Sequence, residues 1–554
     1  MKGAMRFACV MEIVVRSACA TAILVAGCGD SENSDNTKQA GAGSGGTGSM
    51  DANGGSAGLA GSGGSGGDPS QPSVATGTRV FSGTATMLFD GPSCTSENGA
   101  TTERWCAFIG ISSANMRNLF VVNVSRVIAG TSVTCGTDDP NCLLLTAMVG
   151  GDNFDPTWHG TFFQGDSLVY YDGTWAPYVW RPGMSRGRLL MNVSSELDAI
   201  FCLPATQGTS VACLGYPSAQ PDPNLARAEL LAGKADGEIE PLLSPIDDVI
   251  AGNDADQGGI ARFGYGFPAI PGDHIAWTTR ATADGPEILK LQTVGSPETK
   301  AIVASDVHAW EVSRDGTRWF WQRGTDAKGV GTLQTAAFPE GANPIDIQAG
   351  VVEYGLVPNS SNSVVTRSAD TTLTGILDAV AAPSEQVVLD TGVQGLLSFS
   401  DKGHIAYAKH FLGSNLVDLY VNDLKAAACP IETTTSVPLS SVRFAPNGEG
   451  LLWAQRKSGN VPSFDGLHTS LSDCSHSPLA SDVAVLAWLD DTIVFMDNFD
   501  EDNGTGSMRF RNTSSSEPTL IANHVASYAI SSASALLYTV NAGTEADGVY
   551  IRSR

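Results

Sequence analysis

Positively charged residues are scarce in this chain of 554 residues: 32 Lys and Arg stand against 58 Asp and Glu, which gives a formal net charge of −26. This sign repels nucleic-acid backbones and anionic lipid surfaces, so both are excluded as charge-driven partners. Charged residues are only 16% of the chain and hydrophobic residues 42%, enough for a core. The partners that remain are neutral, cationic or metal-bearing, or else the acidity serves only solubility.

Long hydrophobic runs are also absent. Beyond Cys28 no stretch reaches 18 consecutive apolar residues, so the sequence predicts no membrane-spanning helix there. The apolar run Ser17–Ala26 is too short to span a bilayer and follows basic residues such as Lys2 and Arg16, as in a secretory signal.

The apolar run ends in Leu24-Val25-Ala26-Gly27-Cys28, which resembles the lipobox of bacterial lipoproteins. The resemblance implies that residues 1–27 are a signal peptide and that Cys28 carries the lipid. Two or more acyl chains would anchor the protein stably to a membrane. We therefore expect a location in the cell envelope, facing the periplasm or the cell exterior. An ordinary cleaved signal without lipid is the alternative.

No C-x-x-C spacing occurs among the cysteines beyond Cys28, which argues against a zinc or redox site. These eight cysteines are an even number, as a disulfide framework in an oxidising compartment requires. Proximity along the chain predicts the pairs Cys94–Cys106, Cys135–Cys142 and Cys202–Cys213. Free buried thiols are the alternative.

Residues 28–78 offer little that could form a core. Thirteen of the 27 residues from Gly41 to Gly67 are glycine, so this segment is predicted to be a disordered tether. Its match to G-x-G-x-x-G at Gly41–Gly46 has no strand before it and no helix after it, and therefore does not indicate a dinucleotide site.

Short apolar strands recur in the C-terminal half at nearly constant intervals of 42 to 46 residues. The recurring residues are Trp277, Trp321, Val365, Tyr407, Trp453, Phe495 and Tyr538. This period is the length of one blade of a β-propeller. Asp315-Gly316 and Asn447-Gly448 precede two of these strands and supply the turn residues of tight hairpins.

The strands and their period resemble the WD40-like blades of the TolB family over about residues 262–554, which implies a ring of four-stranded sheets. We therefore predict an all-β fold with a seven-bladed β-propeller at 251–554, preceded by a disulfide-containing β-rich region at 79–250. One larger propeller that includes this region is the alternative. We expect Glu238–Leu243 to provide the outer strand of the last blade. The chain lacks the small N-terminal α/β domain of the TolB family, so no TolB role is carried over.

Blade register predicts a fourth disulfide. Cys429 follows Tyr407 by 22 residues and Cys474 follows Trp453 by 21, which places both cysteines between the third and outer strands of successive blades. Equivalent loops of neighbouring blades lie side by side, so this pair is expected to join two blades.

Linear motifs point to no catalytic, cofactor-binding or metal-binding residue. Gly183–Gly187 fits the nucleophile elbow around Ser185, but Arg181-Pro182 ends any preceding strand, so a β-turn is expected. Asp254–Gly258 and Asp500–Gly504 both read D-x-D-x-G, which leaves Ca²⁺ as a cofactor to be tested, although neither completes an EF-hand. The eight histidines contain no H-E-x-x-H.

The sequence thus favours a non-enzymatic protein: a membrane-anchored extracytoplasmic propeller that binds an envelope protein or glycan. The alternative is an extracytoplasmic hydrolase or lyase in which carboxylates from different blades act as acid and base. Neither function involves nucleic acid.

Overall fold

The computed structural model describes residues 75–554, with gaps at 89–91, 97–101, 112–116, 149–160, 173, 175, 194–196, 206–207, 218–226, 251–272, 281–285, 297, 304–305, 327, 413–415, 425–428, 430, 432–435, 458–462, 501–502, 514–516 and 533. Cys28, the signal peptide and residues 28–74 of the predicted tether lie outside this part. The last predicted tether residues, 75–78, are ordered: Ala75 bridges to Ala522, and Thr78 begins the first strand. The prediction of a disordered segment up to residue 78 is therefore wrong for these residues. Among the described residues no helix has the length and apolarity to cross a membrane.

The protein is nearly all β, as predicted. The first strands are β1 (Thr78–Ser82), β2 (Ala85–Met87), β3 (Trp105–Ile111), β4 (Arg117–Asn123), β5 (Cys142–Met148), β6 (Phe162–Gln164), β7 (Ser167–Tyr171), β8 (Pro177–Trp180), β9 (Arg188–Leu189), β10 (Leu197–Pro204), β11 (Ser210–Pro217), β12 (Arg227–Lys234) and β13 (Leu243–Ile250). Next come β14 (His274–Arg280), β15 (Glu287–Thr293), β16 (Thr299–Val303), β17 (Val307–Val312), β18 (Arg318–Arg323), β19 (Gly331–Ala337), β20 (Ile345–Leu356), β21 (Val364–Ser368), β22 (Leu373–Ile376) and β23 (Gln386–Asp390).

The last third of the chain continues the pattern. Its strands are β24 (Gly395–Phe399), β25 (His404–Leu412), β26 (Leu416–Asp423), β27 (Val437–Pro438), β28 (Arg443–Phe444), β29 (Gly450–Arg456), β30 (Phe464–Ser470), β31 (His476–Ala480), β32 (Val485–Leu489), β33 (Thr492–Asp500), β34 (Thr505–Asn512), β35 (Thr519–Ser531), β36 (Ala535–Val540) and β37 (Gly548–Ser553). Two short helices are described, α1 (Val124–Ile128) and a 3₁₀ helix at Leu439–Ser441.

The described strands group into antiparallel units, numbered here in chain order. Units 1 to 3 are β2–β5, β6–β9 and β10–β13; unit 4 is β14–β16; units 5 and 6 are β17–β20 and β20–β23; units 7 and 8 are β24–β27 and β28–β31; unit 9 is β32–β35; and unit 10 is β35–β37 with β1. The long strands β20 and β35 each serve two units, because their first half pairs with the preceding strand and their second half with the following one.

The seven recurring residues predicted to mark blades lie in units 4 to 10, on β14, β18, β21, β25, β29, β33 and β36. The two predicted glycine turns are also confirmed. Gly316 and Gly448 both have φ of +69°, a conformation that glycine adopts without steric cost. Strand β7 (Ser-Leu-Val-Tyr-Tyr) is buried at every position, as expected of a sheet covered on both faces by neighbouring sheets.

Each unit shares a hydrophobic cluster with the next. Leu214 of unit 3 packs in one cluster with Trp277 of unit 4, and Trp321 of unit 5 packs with Leu291 of unit 4. Burying a side chain as large as Trp removes about 150–250 Å² from water, which stabilises the fold by several kcal/mol at about 25 cal/mol per Å². Neighbouring sheets are therefore held together by their buried faces.

The ring closes through the N-terminal strand. Strand β1 pairs antiparallel with β37, and Val80 lies in a cluster with Phe108 of unit 1 and Leu537 of unit 10. The contacts of units 1 to 3 thus favour the larger-propeller alternative, while the division at residue 250 stays a prediction.

The prediction that Glu238–Leu243 closes the ring is wrong. Leu243 begins β13, which pairs with β12 inside unit 3, and Glu240 is held in the preceding turn by Arg188 at 3.1 Å. This segment is the bend that leads into the outer strand of unit 3, and the open edge of unit 10 is covered by β1 instead.

Four disulfides join the pairs expected from the sequence. Three lie within a unit, and Cys202–Cys213 directly links the paired strands β10 and β11. Cys429–Cys474 links unit 7 to unit 8, because Cys429 bridges to Val421 of β26 and Cys474 lies in the turn between β30 and β31. Disulfides of this kind are typical of proteins folded in an oxidising compartment.

Candidate functional site

The innermost strand of each sheet in a propeller faces the central channel. In this protein the inner strands of units 5 to 10 are β17, the second half of β20, β24, β28, β32 and the second half of β35. Charged side chains on these strands are the candidates for contact with a ligand, since loops and channel provide the concave surfaces of the fold.

Glu311 lies on β17 and faces unit 6. Its strand neighbours Trp310 and Val312 pack towards unit 4, so the alternation of side chains along a strand directs Glu311 to the opposite face. Among the described residues its carboxylate has no hydrogen bond and no ion pair, and it keeps partial access to solvent. Burial raises the pKa of Glu311 to about 7.

Tyr354, on the inner half of β20, borders Glu311. It is buried, and its hydroxyl donates a hydrogen bond of 3.4 Å to the carbonyl oxygen of Phe320 in unit 5. Burial, followed by the negative charge of Glu311, raises the pKa of Tyr354. A carboxyl group that titrates near neutral pH beside a phenol can accept or donate a proton.

Glu353 precedes Tyr354 on the strand and points the other way, towards unit 7. Its Oε2 lies 2.9 Å from Nε of Arg367 and accepts a longer hydrogen bond of 3.3 Å from the backbone N–H of Leu396. Burial outweighs these partners and raises the pKa of Glu353 to about 7. Arg367 of unit 6 and the backbone N–H of Leu396 in unit 7 both contact the carboxylate of Glu353, so Glu353 links these two units. Its carboxylate is therefore less available than that of Glu311 to bind a ligand.

Arg443 lies on β28, the inner strand of unit 8. It borders a recess of about 10 Å³ that is also lined by Ser440, Ser441, Ala484, Val485, Leu486 and Tyr528. The Nε atom of Arg443 is buried and has no hydrogen-bond partner in the described part of the chain. Burial raises the pKa of Tyr528, an effect that the nearby charge of Arg443 opposes. The recess therefore joins an unneutralised cation and a phenol from two different units.

The residues singled out by sequence motifs do not converge on a site. Ser185 is exposed and directly follows the turn Arg181–Met184, which is closed by a hydrogen bond of 3.0 Å from the Met184 N–H to the Arg181 carbonyl. Asp500 bonds to the side chain of Asn503 in its own hairpin, while Asp254–Gly258 lies outside the described residues. Among the residues that are described, no group of three or more potential metal ligands occurs, and calcium binding stays a prediction.

Sequence analysis missed both Glu311 and Arg443. Each is a single charged residue without a motif, and its importance depends on packing against other units. One signal was present in the sequence. Glu311 interrupts a strand of otherwise mostly apolar residues, Val-His-Ala-Trp-Glu-Val, and a charge buried there without a partner destabilises the fold.

Comparison with known proteins assigns no family. No family model and no curated protein matches the chain. Among solved structures, a eukaryotic initiation factor is 8% identical with a TM-score of 0.43, covering 73% of this chain and 93% of its own. Oligogalacturonate lyase from Vibrio parahaemolyticus is 12% identical with a TM-score of 0.32, covering 72% and 91%.

Prolyl oligopeptidase B from Galerina marginata, bound to a 35mer hydrolysis and macrocyclization substrate, is 10% identical with a TM-score of 0.35. The match covers 62% of this chain and 52% of the oligopeptidase, so this chain corresponds to about half of that protein. Similarities at this level attach no activity to the chain.

Proposed function

We propose that this protein is a membrane-anchored, extracytoplasmic β-propeller that binds a protein or glycan of the cell envelope. The observation that carries the proposal is the pair of unneutralised charges on inner strands. Neither Glu311 nor Arg443 has an ion-pair partner among the described residues, although burying a charge without a partner destabilises a fold. Such a cost is expected where a ligand supplies the missing partner.

The anchoring part of the proposal comes from the lipobox-like segment ending at Cys28. Its support in the folded part is indirect: four disulfides suit an oxidising compartment outside the cytoplasm. In this proposal the predicted tether, most of which lies outside the described residues, would hold the ring away from the membrane surface.

A second function, extracytoplasmic hydrolysis or elimination, is favoured by one observation. The raised pKa of Glu311, about 7, gives it the property of a general acid or base at neutral pH. Two-carboxylate mechanisms also need a second acidic group in reach. Glu353 does not supply one readily, because Arg367 holds it in an ion pair.

An envelope capture experiment tests the binding function. The purified full-length protein, its Glu311→Gln and Arg443→Met variants, and an Arg314→Met control are immobilised and exposed to an envelope extract. Arg314 is suitable as a control because it lies in the turn after β17 and already pairs with Asp401, with half of its side chain exposed. We expect saturable capture by the wild type and the control, and weakened capture by an inner-strand variant.

A polysaccharide and peptide hydrolysis screen runs in parallel. Turnover that Glu311→Gln abolishes would replace the binding function by the enzymatic one. Absence of any saturable capture by the wild-type protein would overturn the proposal.

A further inference from the structure

The recess at Arg443 has the chemistry of a carboxylate site. It is lined by the charged residue Arg443, by the hydroxyl-bearing residues Ser440 and Tyr528, and by apolar residues such as Ala484 and Leu486. A volume of about 10 Å³ accommodates about one water-sized group. An oxygen of a carboxylate group has this size.

Some polar side chains at the recess already have hydrogen-bond partners within the protein, and others do not. The Ser441 hydroxyl donates a hydrogen bond of 2.7 Å to the carbonyl of Pro438 and accepts one of 3.0 Å from the backbone N–H of Ala454. Arg443 and Tyr528 make no side-chain hydrogen bond to a described residue. A carboxylate oxygen in the recess would accept a charge-assisted hydrogen bond from the guanidinium, and such a bond is about twice as strong as a neutral one.

We propose that this recess binds the C-terminal carboxylate of a polypeptide that enters the ring. Arg443 binds the carboxylate, and Tyr528 donates a hydrogen bond to it. The inference rests on the binding function proposed above and names the chemical group that is recognised.

The charge of the whole molecule selects a polypeptide over an acidic glycan. At a net charge of −26 the protein repels a polymer that carries a carboxylate on every repeat. A peptide that is neutral or basic along its length and has one terminal carboxylate avoids this repulsion. The local positive charge of Arg443 then distinguishes the end of the peptide from its interior, as in other sites that capture chain termini.

A matched pair of peptides tests the inference. The peptide Ala-Lys-Ala-Lys-Ala is prepared with a free C-terminal carboxylate and, separately, with an amidated C terminus, and both are titrated into the full-length protein by calorimetry at low salt. We expect the free acid to bind about ten-fold more tightly than the amide, which is the effect of one charge-assisted interaction. Arg443→Met should abolish this preference, and Tyr528→Phe should reduce it.

Arg314→Met removes the same charge elsewhere and should keep the preference. Circular dichroism confirms that each variant is folded; if Arg443→Met is not, Tyr528→Phe alone decides. Equal binding of acid and amide, no binding of the acid up to millimolar concentration, or a preference that survives Arg443→Met would overturn the inference. The envelope capture experiment separates the two proposals: capture that is unaffected by Arg443→Met leaves the binding function standing without this site.

Discussion

Thr78, in the first described strand, pairs directly with Ile551 in the last one. Tyr538 strengthens the same junction, since its hydroxyl donates a hydrogen bond to the carbonyl of Thr76. The two ends of the described chain are thus parts of a single sheet. This pairing joins the last unit of the ring to the N-terminal strand. The stability of the whole ring should depend on a strand of only five residues.

Val80→Asp tests this dependence. Val80 is 1% exposed and lies in a cluster with Val549 and Ile551, so a carboxylate there would be buried without a partner. We expect a loss of about 3 kcal/mol or more in the free energy of unfolding, measured by urea denaturation. Ser82→Asp introduces the same charge at an exposed position of the same strand and should change stability little. If both variants unfold at the wild-type urea concentration, β1 is not required for closure.

The disulfide between units should stabilise the fold more than a disulfide within one. Cys429–Cys474 closes a loop with a sequence separation of 45, and Cys202–Cys213 one of 11. On the chain-entropy model the longer loop contributes about 1 kcal/mol more. We therefore expect Cys429→Ser with Cys474→Ser to lower the free energy of unfolding by more than Cys202→Ser with Cys213→Ser. An equal or reversed order, measured in urea, would contradict the proposed coupling of units 7 and 8.

Glu311→Gln should stabilise the protein above neutral pH. The folded-state pKa of Glu311, about 7, lies above the ordinary value of 4.5, so the folded state holds its proton more tightly than the unfolded chain. The stability contributed by this group is complete below pH 4.5 and is lost as the pH rises towards 7. Since Glu311 keeps some solvent access, we expect Gln to add about 1–2 kcal/mol at pH 8 and almost nothing at pH 4.

Glu353→Gln is the companion variant for that measurement. The pKa of Glu353 is raised in the same direction, because burial outweighs its ion pair with Arg367. By the same linkage, this variant should also gain stability relative to the wild type as the pH rises from 4 to 8. Urea unfolding of both variants at pH 4 and pH 8 distinguishes the outcomes; a Glu311→Gln variant with wild-type pH dependence would show that burial does not raise the pKa of Glu311.

Cys28→Ser tests the lipid anchor, which lies outside the described residues. If Cys28 is acylated, the variant loses radiolabelled palmitate and moves from the membrane fraction to the soluble one, because the acyl chains provide the membrane affinity. Cys19→Ser in the same segment should keep the label. Unchanged labelling of the Cys28 variant would refute attachment at this residue.

Local sequence patterns determined much of the fold. The regular return of Trp277, Trp321 and their equivalents predicted strands in units 4 to 10, since each repeat forms a hairpin with its own turn residues. Cysteines close in sequence, or in equivalent loops, were paired as they are in the structure. These features depend on short-range geometry, which the residues encode directly.

Only the tertiary structure decided which edge closes the ring and which charges stay unpaired. The sequence analysis named Glu238–Leu243 as the closing strand, but the choice depends on which sheet already has an outer strand, and β1 fills this position in the structure. Glu311 and Arg443 are likewise ordinary residues in the sequence. Their partial burial and their lack of ion-pair partners among the described residues depend on side chains of other units, and no local pattern specifies those contacts.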